Sequence, residues 1–167
     1  MTENSDFLKL INDNLGIAHK VCNIYFRDPD DRNDVIQEMM YQLWRSYDRF
    51  DGRSKFSTWM YRVCLNTALT YRKKTDRDKS ESLTKGHNQI PAPSPVNKEK
   101  PLELLTEAIG TLSPVNKAII LLYLDDMTYE EIASITGLTK SNVSVRLVRI
   151  KKELEVKLKE KIKDTGL

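Results

Sequence analysis

The sequence predicts an all-α protein of two small helical domains. Apolar residues recur at spacings of three and four along most of the chain, no stretch alternates with the period of a strand, and one proline-rich interval interrupts the helical pattern. The 167 residues are 40% hydrophobic and 31% charged, enough apolar surface to fold. Split in two, each half buries only roughly 60% of its unfolded surface, so each domain is marginal alone and suited to stabilisation by a partner.

The first helix is expected from Phe7 to Phe26, with Leu8, Ile11, Leu15, Ala18, Cys22 and Tyr25 along one face and Asp28-Pro29 as its end. A second begins in the run Asp30, Asp31 and Asp34, whose carboxylates suit a helix N-terminus, and buries Val35, Met39, Leu43 and Trp44. Asp51-Gly52 marks a turn. A third helix spans Ser54 to Lys74, with Phe56, Met60, Val63 and Thr67 inward and Arg62, Asn66, Arg72 and Lys73 largely outward.

Between Thr75 and Pro101 the helical period gives way to Gly86, Pro91, Pro93, Pro95 and Pro101 among Ser, Asn and Lys. The domains are therefore placed at 1–77 and 102–167, with 78–101 as a flexible linker. A tether of that length averages about 25 to 30 Å and extends to about 80 Å. Beyond it, helices are expected from Leu102 to Leu112 and from Pro114 to Leu124, the latter opened by a Ser113 cap and a proline at the first position. Thr128-Tyr129-Glu130-Glu131 forms a capping box, and Thr139 caps a last helix with the stripe Val143, Leu147, Ile150, Leu154, Leu158.

Composition excludes several functions. No run of about 18 apolar residues exists, and the start MTENSDFLKL has acids where a signal peptide has basic residues before an apolar core, so a cytoplasmic protein without membrane insertion is expected. Cys22 and Cys64 lack the spacing of a disulfide framework or zinc knuckle, and are expected as buried thiols. A calcium loop starting at Asp28 would put Asn33 where Gly is needed and Met39 where a bidentate Glu is needed. His19 and Cys22 lack two further spaced zinc ligands, and there is neither a phosphate-binding glycine loop nor a nucleophile motif. No enzyme, metal or cofactor is expected.

The net charge of +3 is a weak pointer to nucleic acid, but its distribution is stronger. Residues 1–50 carry an excess of acids, whereas Gly52 to Lys79 holds eight Lys or Arg against two Asp. That density can neutralise several phosphates. From Tyr129 to Leu147 the chain has the spacing of a helix-turn-helix: Ala133 is small where two helices cross, Gly137 serves a turn of positive backbone angle, and Val143 packs the second helix on the first. Ile132, Leu138 and Leu147 complete the small core. A plain pair of helices joined at a glycine cap has the same spacing. Lys140, Ser141, Asn142, Ser144, Arg146 and Arg149 favour DNA, because short hydrogen-bonding groups and cations suit base edges and phosphates.

Two segments carry a resemblance. DRNDVIQEMMYQLWRSYDRFDGRSKFSTWMYRVCLNTAL resembles the region-two module of extracytoplasmic-function (ECF) sigma factors of the sigma-70 family, and LSPVNKAIILLYLDDMTYEEIASITGLTKSNVSVRLVRIKKEL resembles their region-four module. The resemblance implies a non-enzymatic subunit that binds core RNA polymerase and promoter DNA and initiates transcription; it also allows an anti-sigma factor as a partner. It implies polymerase docking through Asp34, Gln37, Glu38 and Tyr41. It implies minus-ten contacts by Phe50, Lys55, Tyr61, Arg62, Asn66, Arg72 and Lys73, where aromatics stack unpaired bases and cations hold the strand. Phe56 and Trp59 are expected in the core rather than as base platforms. Minus-thirty-five contacts fall to Lys140, Ser141, Asn142, Ser144, Val145, Arg146, Val148 and Arg149. Ser144 and Val145 stand where the family often has a basic and a small polar residue, which leaves the promoter sequence open. A helix-turn-helix regulator binding DNA alone is the alternative, but it leaves the acidic Asp34 to Glu38 face unused.

Overall fold

A computed structural model describes the backbone of residues 2–81 and 100–166, and among these there are helices and no strand. The first module contains α1 (Thr2–Asp13), α2 (Leu15–Tyr25), α3 (Pro29–Ser46), a short 3-10 turn (Tyr47–Arg49) and α4 (Phe56–Glu81). The second contains α5 (Lys100–Gly110), α6 (Pro114–Leu124), α7 (Tyr129–Thr136) and α8 (Lys140–Thr165). The linker expectation falls largely on residues 82–99, outside the described residues.

The single first helix expected from Phe7 to Phe26 is two helices. Asn14 divides them: its side-chain amide donates to the Leu10 carbonyl at 2.9 Å and its backbone N–H to Ile11 at 3.1 Å. Such local bonds compete with the helical ladder. The break rotates the stripe, so Phe7 and Ile11 are buried while Leu8 is 60% exposed. Asp28-Pro29 both follows α2 and opens α3, with the Asp28 carboxylate accepting from the Asp30 N–H at 2.8 Å. Val35, Met39 and Leu43 are fully buried, but Trp44 is 62% exposed, against expectation. One residue advances about 100° around a helix, which carries Trp44 from the Leu43 face to that of Gln37, seven positions earlier.

The core of this module forms where α4 packs on α2 and α3. Met60, Tyr61, Cys64 and Ala68 are fully buried along α4, Thr67 is buried, and Val63 is half-buried. Cys22 and Cys64 are buried free thiols, and burial pushes them up to about 11 and about 12 respectively, so both stay protonated and unreactive.

In the second module the local signals act at their expected positions. Ser113 caps α6, with Pro114 opening it. Thr128 accepts from the Glu131 N–H at 3.1 Å while Glu131 accepts from the Thr128 N–H at 2.9 Å. Gly137 takes φ +76° and its N–H donates to Ala133, ending α7. Thr139 caps α8 by accepting from the Asn142 N–H. Helix α8 then buries Val143, Leu147, Ile150 and Leu154 against α5, α6 and α7. The α6 end lacks a glycine: Asp126 adopts φ +59°, with its N–H on the Tyr123 carbonyl and the Met127 N–H on Leu122.

The two modules pack directly on each other. Helix α2 lies against α5 and α6, and α4 against α7, closing one continuous apolar core across the seam. Flexible tethering did not specify this arrangement.

Candidate nucleic-acid interface

Three surfaces gather the residues singled out above. On α3, Asp34, Gln37, Glu38 and Tyr41 fall at positions i, i+3, i+4 and i+7, opposite the buried Val35-Met39-Leu43 stripe. Asp34 and Gln37 are exposed, Tyr41 is half-exposed, and Glu38 accepts from Gln42 at 2.8 Å within the helix. Trp44 extends this face by another turn. Its signal was present in the spacing from Gln37, but its apolar character pointed to the core.

The second surface begins at the 3-10 turn. Phe7, Tyr47, Phe50, Phe56 and Trp59 form a chain of ring contacts, with centroids from 4.8 Å apart for Phe7–Tyr47 to 6.4 Å for Tyr47–Phe50. These contacts are worth about 0.5–1.5 kcal/mol each beyond the area they bury. Phe56 is buried as expected; Trp59 is only half-buried, sharing the edge of the cluster with Phe50. An open groove of about 520 Å³ runs beside it, lined by Phe7, Trp44, Tyr47 and Phe50 among others. Lys55, Arg62, Asn66 and Lys73 are exposed and Arg72 half-exposed.

Tyr61 does not share that exposure. It is fully buried, and its hydroxyl donates to Oδ2 of Asp125 in the second module at 2.5 Å. Burial, and then the hydrogen bond to Asp125, push its phenol well above the usual range. Arg62 is also engaged: its guanidinium donates to the Ser134 hydroxyl at 2.7 Å and carbonyl at 3.2 Å.

The third surface is the first half of α8. Lys140, Ser141, Asn142, Val145, Val148 and Arg149 are exposed, and Ser144 is half-exposed. Val143 and Leu147, between them, are fully buried and fix the helix against α7. Two cations are already paired. Lys140 meets Glu130 at 2.5 Å, and the hydrogen bond from Lys140 holds the Glu130 carboxyl below its usual range. Arg146 donates to the Asn116 side chain at 3.1 Å, back toward α6. Farther along, Lys151 lies over the Tyr123 ring at 4.2 Å and donates to its hydroxyl, a contact invisible to helix periodicity.

Residues 10–78 match the family model for Sigma-70 region 2, and residues 102–154 match that for Sigma-70, region 4. The ECF RNA polymerase sigma-E factor of Haemophilus influenzae is 30% identical over 142 residues, covering 77% of this chain and 75% of that one. This chain belongs to the ECF branch of the sigma-70 family. The sigma-E factor of Escherichia coli is 29% identical over 160 residues, covering 87% of this chain and 84% of its own length. The fold matches the sigma factor RpoE solved in complex with the anti-sigma factor NepR from Bartonella quintana, with a TM-score of 0.74 at 20% identity over 95% of this chain and 97% of that one. It also matches CnrH in complex with the cytosolic domain of CnrY, with a TM-score of 0.67 at 19% identity over 94% and 90%. As an ECF sigma factor the chain recognises promoters for transcription initiation by RNA polymerase. Among the described residues, no helix is long and apolar enough to cross a membrane.

Proposed function

We infer that this sigma factor is a cytoplasmic specificity subunit rather than a catalyst, and that its three surfaces divide the work. The α3 face docks on core polymerase through Asp34, Gln37, Glu38 and Tyr41. The aromatic turn and α4 hold the melted minus-ten strand, with Phe50 stacking bases and Lys55, Arg62, Asn66, Arg72 and Lys73 on its backbone and edges. Tyr61 joins them only when the second module leaves it. Helix α8 enters the major groove of the minus-thirty-five element. Lys140 and Ser141 meet phosphate at its N-terminus, Asn142, Ser144, Val145 and Val148 face bases, and Arg146 and Arg149 reach either.

The observation that carries this reading is one chain presenting an exposed acidic face on α3 and an exposed polar face on α8, each held by a buried opposite face. A regulator acting alone leaves the first without a role. The solved neighbours support an anti-sigma factor as a further partner, since RpoE was captured with one.

Replacing Gln37 and Glu38 together by Ala is the test. Neither belongs to the buried stripe, so helical content and unfolding midpoint should hold. Interface hot spots are worth about 2 kcal/mol or more, so affinity for core polymerase should fall more than about thirtyfold. Unchanged affinity overturns the α3 assignment.

A further inference from the structure

We propose that the reading face of α8 is apolar at its centre, and that Val145 and Val148 recognise the 5-methyl groups of thymines on adjacent base pairs of the upstream promoter element. The proposal rests on the sigma-factor reading above and adds which bases that helix selects.

The buried stripe of α8 is Val143, Leu147, Ile150 and Leu154. At about 100° per residue, Val145 and Val148 both fall within about 50° of the direction opposite that stripe. They are 49% and 54% exposed, and neither packs on the core. The fold does not require them, since a β-branched side chain at an exposed helix position is a poorer choice than Ala, Lys or Glu. Two large apolar groups thus occupy the outermost line of the helix.

The cations beside them are drawn away from this line. Lys140 pairs with Glu130, Arg146 donates to the Asn116 side chain at 3.1 Å, and Lys151 donates to the Tyr123 hydroxyl at 2.9 Å. Each tie runs to another helix of the module and carries positive charge toward the flanks of the face. Phosphates lie at the flanks of a groove and base edges at its floor, so this arrangement leaves the valines on the floor. Ser141 and Asn142 come a turn before Val145 and Arg149 a turn after it, and all three are exposed. The apolar pair is framed by groups that bond base edges, which favours DNA over a second protein as what covers it.

Spacing then fixes what the pair reads. Residues at i and i+3 hold their Cβ atoms about 5–6 Å apart and rise about 4.5 Å along the axis. Base pairs stack about 3.4 Å apart, so a helix lying in the major groove brings the two valines to neighbouring pairs. Thymine alone of the four bases presents a methyl group there.

The test is a binding titration of holoenzyme, reconstituted with the full chain, on duplexes carrying the upstream element that wild type selects from a randomised library. Each thymine of that element, on either strand, is replaced singly by deoxyuridine, which differs only in lacking the methyl. Burying one methyl is worth about fourfold in affinity. Wild type should lose about fourfold at two adjacent positions and nothing at the others. Val145→Ala should erase the penalty at one of them and Val148→Ala at its neighbour. Neither variant should lower the unfolding midpoint, because Ala is the better helix former. A selected element without neighbouring A·T pairs, or deoxyuridine tolerated by wild type at every upstream position, overturns the proposal. So does a loss of affinity in the Ala variants that is equal for thymine and deoxyuridine, which would put the valines against polymerase or another protein. Selection of no upstream element by wild-type holoenzyme instead overturns the reading of α8 beneath it.

Discussion

At Asp126 the backbone takes φ +59°, a left-handed conformation that costs an L-residue about 1–2 kcal/mol and Asp somewhat less. The two bonds around it, Asp126 N–H to Tyr123 and Met127 N–H to Leu122, are those of a helix stop normally built on glycine. Asp126→Gly should therefore stabilise the chain by about 0.5 kcal/mol, the relief of strain exceeding glycine's greater unfolded-state freedom. Denaturant unfolding checks it: the midpoint should rise with an unchanged slope. Single residues were legible in the sequence where their partners lie three or four positions away, as with Ser113, Thr128, Thr139 and Gly137. They were not legible where the partner is distant. Nothing near Tyr61 announces that its hydroxyl meets Asp125, 64 positions later, or that Arg146 turns back to Asn116.

Among the elements, α3 shows how a helical stripe separates neighbouring residues with the same apparent chemistry. Leu43 is fully buried and Trp44 largely exposed, although both are large and apolar. Leu43→Ala should cost about 2–5 kcal/mol of stability through lost burial and a cavity. Trp44→Ala should cost within about 0.5 kcal/mol, as an exposed site, yet weaken core polymerase binding at least tenfold as an interface aromatic. Parallel measurement of unfolding and of affinity for core enzyme checks both; a Trp44 variant that loses stability but not affinity would place the ring in the fold. Long periodic segments made most helices legible. The break at Asn14 was not, because hydrophobic spacing survives across it while a side-chain bond to Leu10 ends the ladder.

For the whole molecule, pH tests the balance at the seam. Burial first, then the charges of Arg72 and Arg27, bring Lys117 of α6 down to about 8 from its ordinary 10.5 in the folded chain. The folded chain therefore binds fewer protons. The penalty is complete below pH 8 and is relieved as pH rises toward 10.5, so the folding constant should rise roughly tenfold between pH 7 and 9, read by denaturant unfolding. Above about 10 the trend should reverse, because folding raises the Tyr25 and Tyr61 phenols and disfavours their ionisation. Lys117→Met should abolish the rise at pH 7–9. Two modules and their order were legible from periodicity and the proline-rich interval, but their packing was not, since it depends on a few polar pairs far apart in sequence. The measurement that tests the division of labour most directly is selection from a randomised promoter library by holoenzyme reconstituted with wild-type chain, Asn142→Ala, Arg149→Ala or Lys140→Ala. Wild type should enrich two elements about 25 base pairs apart, spanning the roughly 80 Å that only separated modules reach. Asn142→Ala or Arg149→Ala should relax one or two upstream base pairs by about 1–3 kcal/mol, and Lys140→Ala should weaken all sequences alike and lower the salt dependence by about one phosphate. Upstream preference and salt dependence unchanged across all three variants would contradict the assignment of α8 as the reading helix.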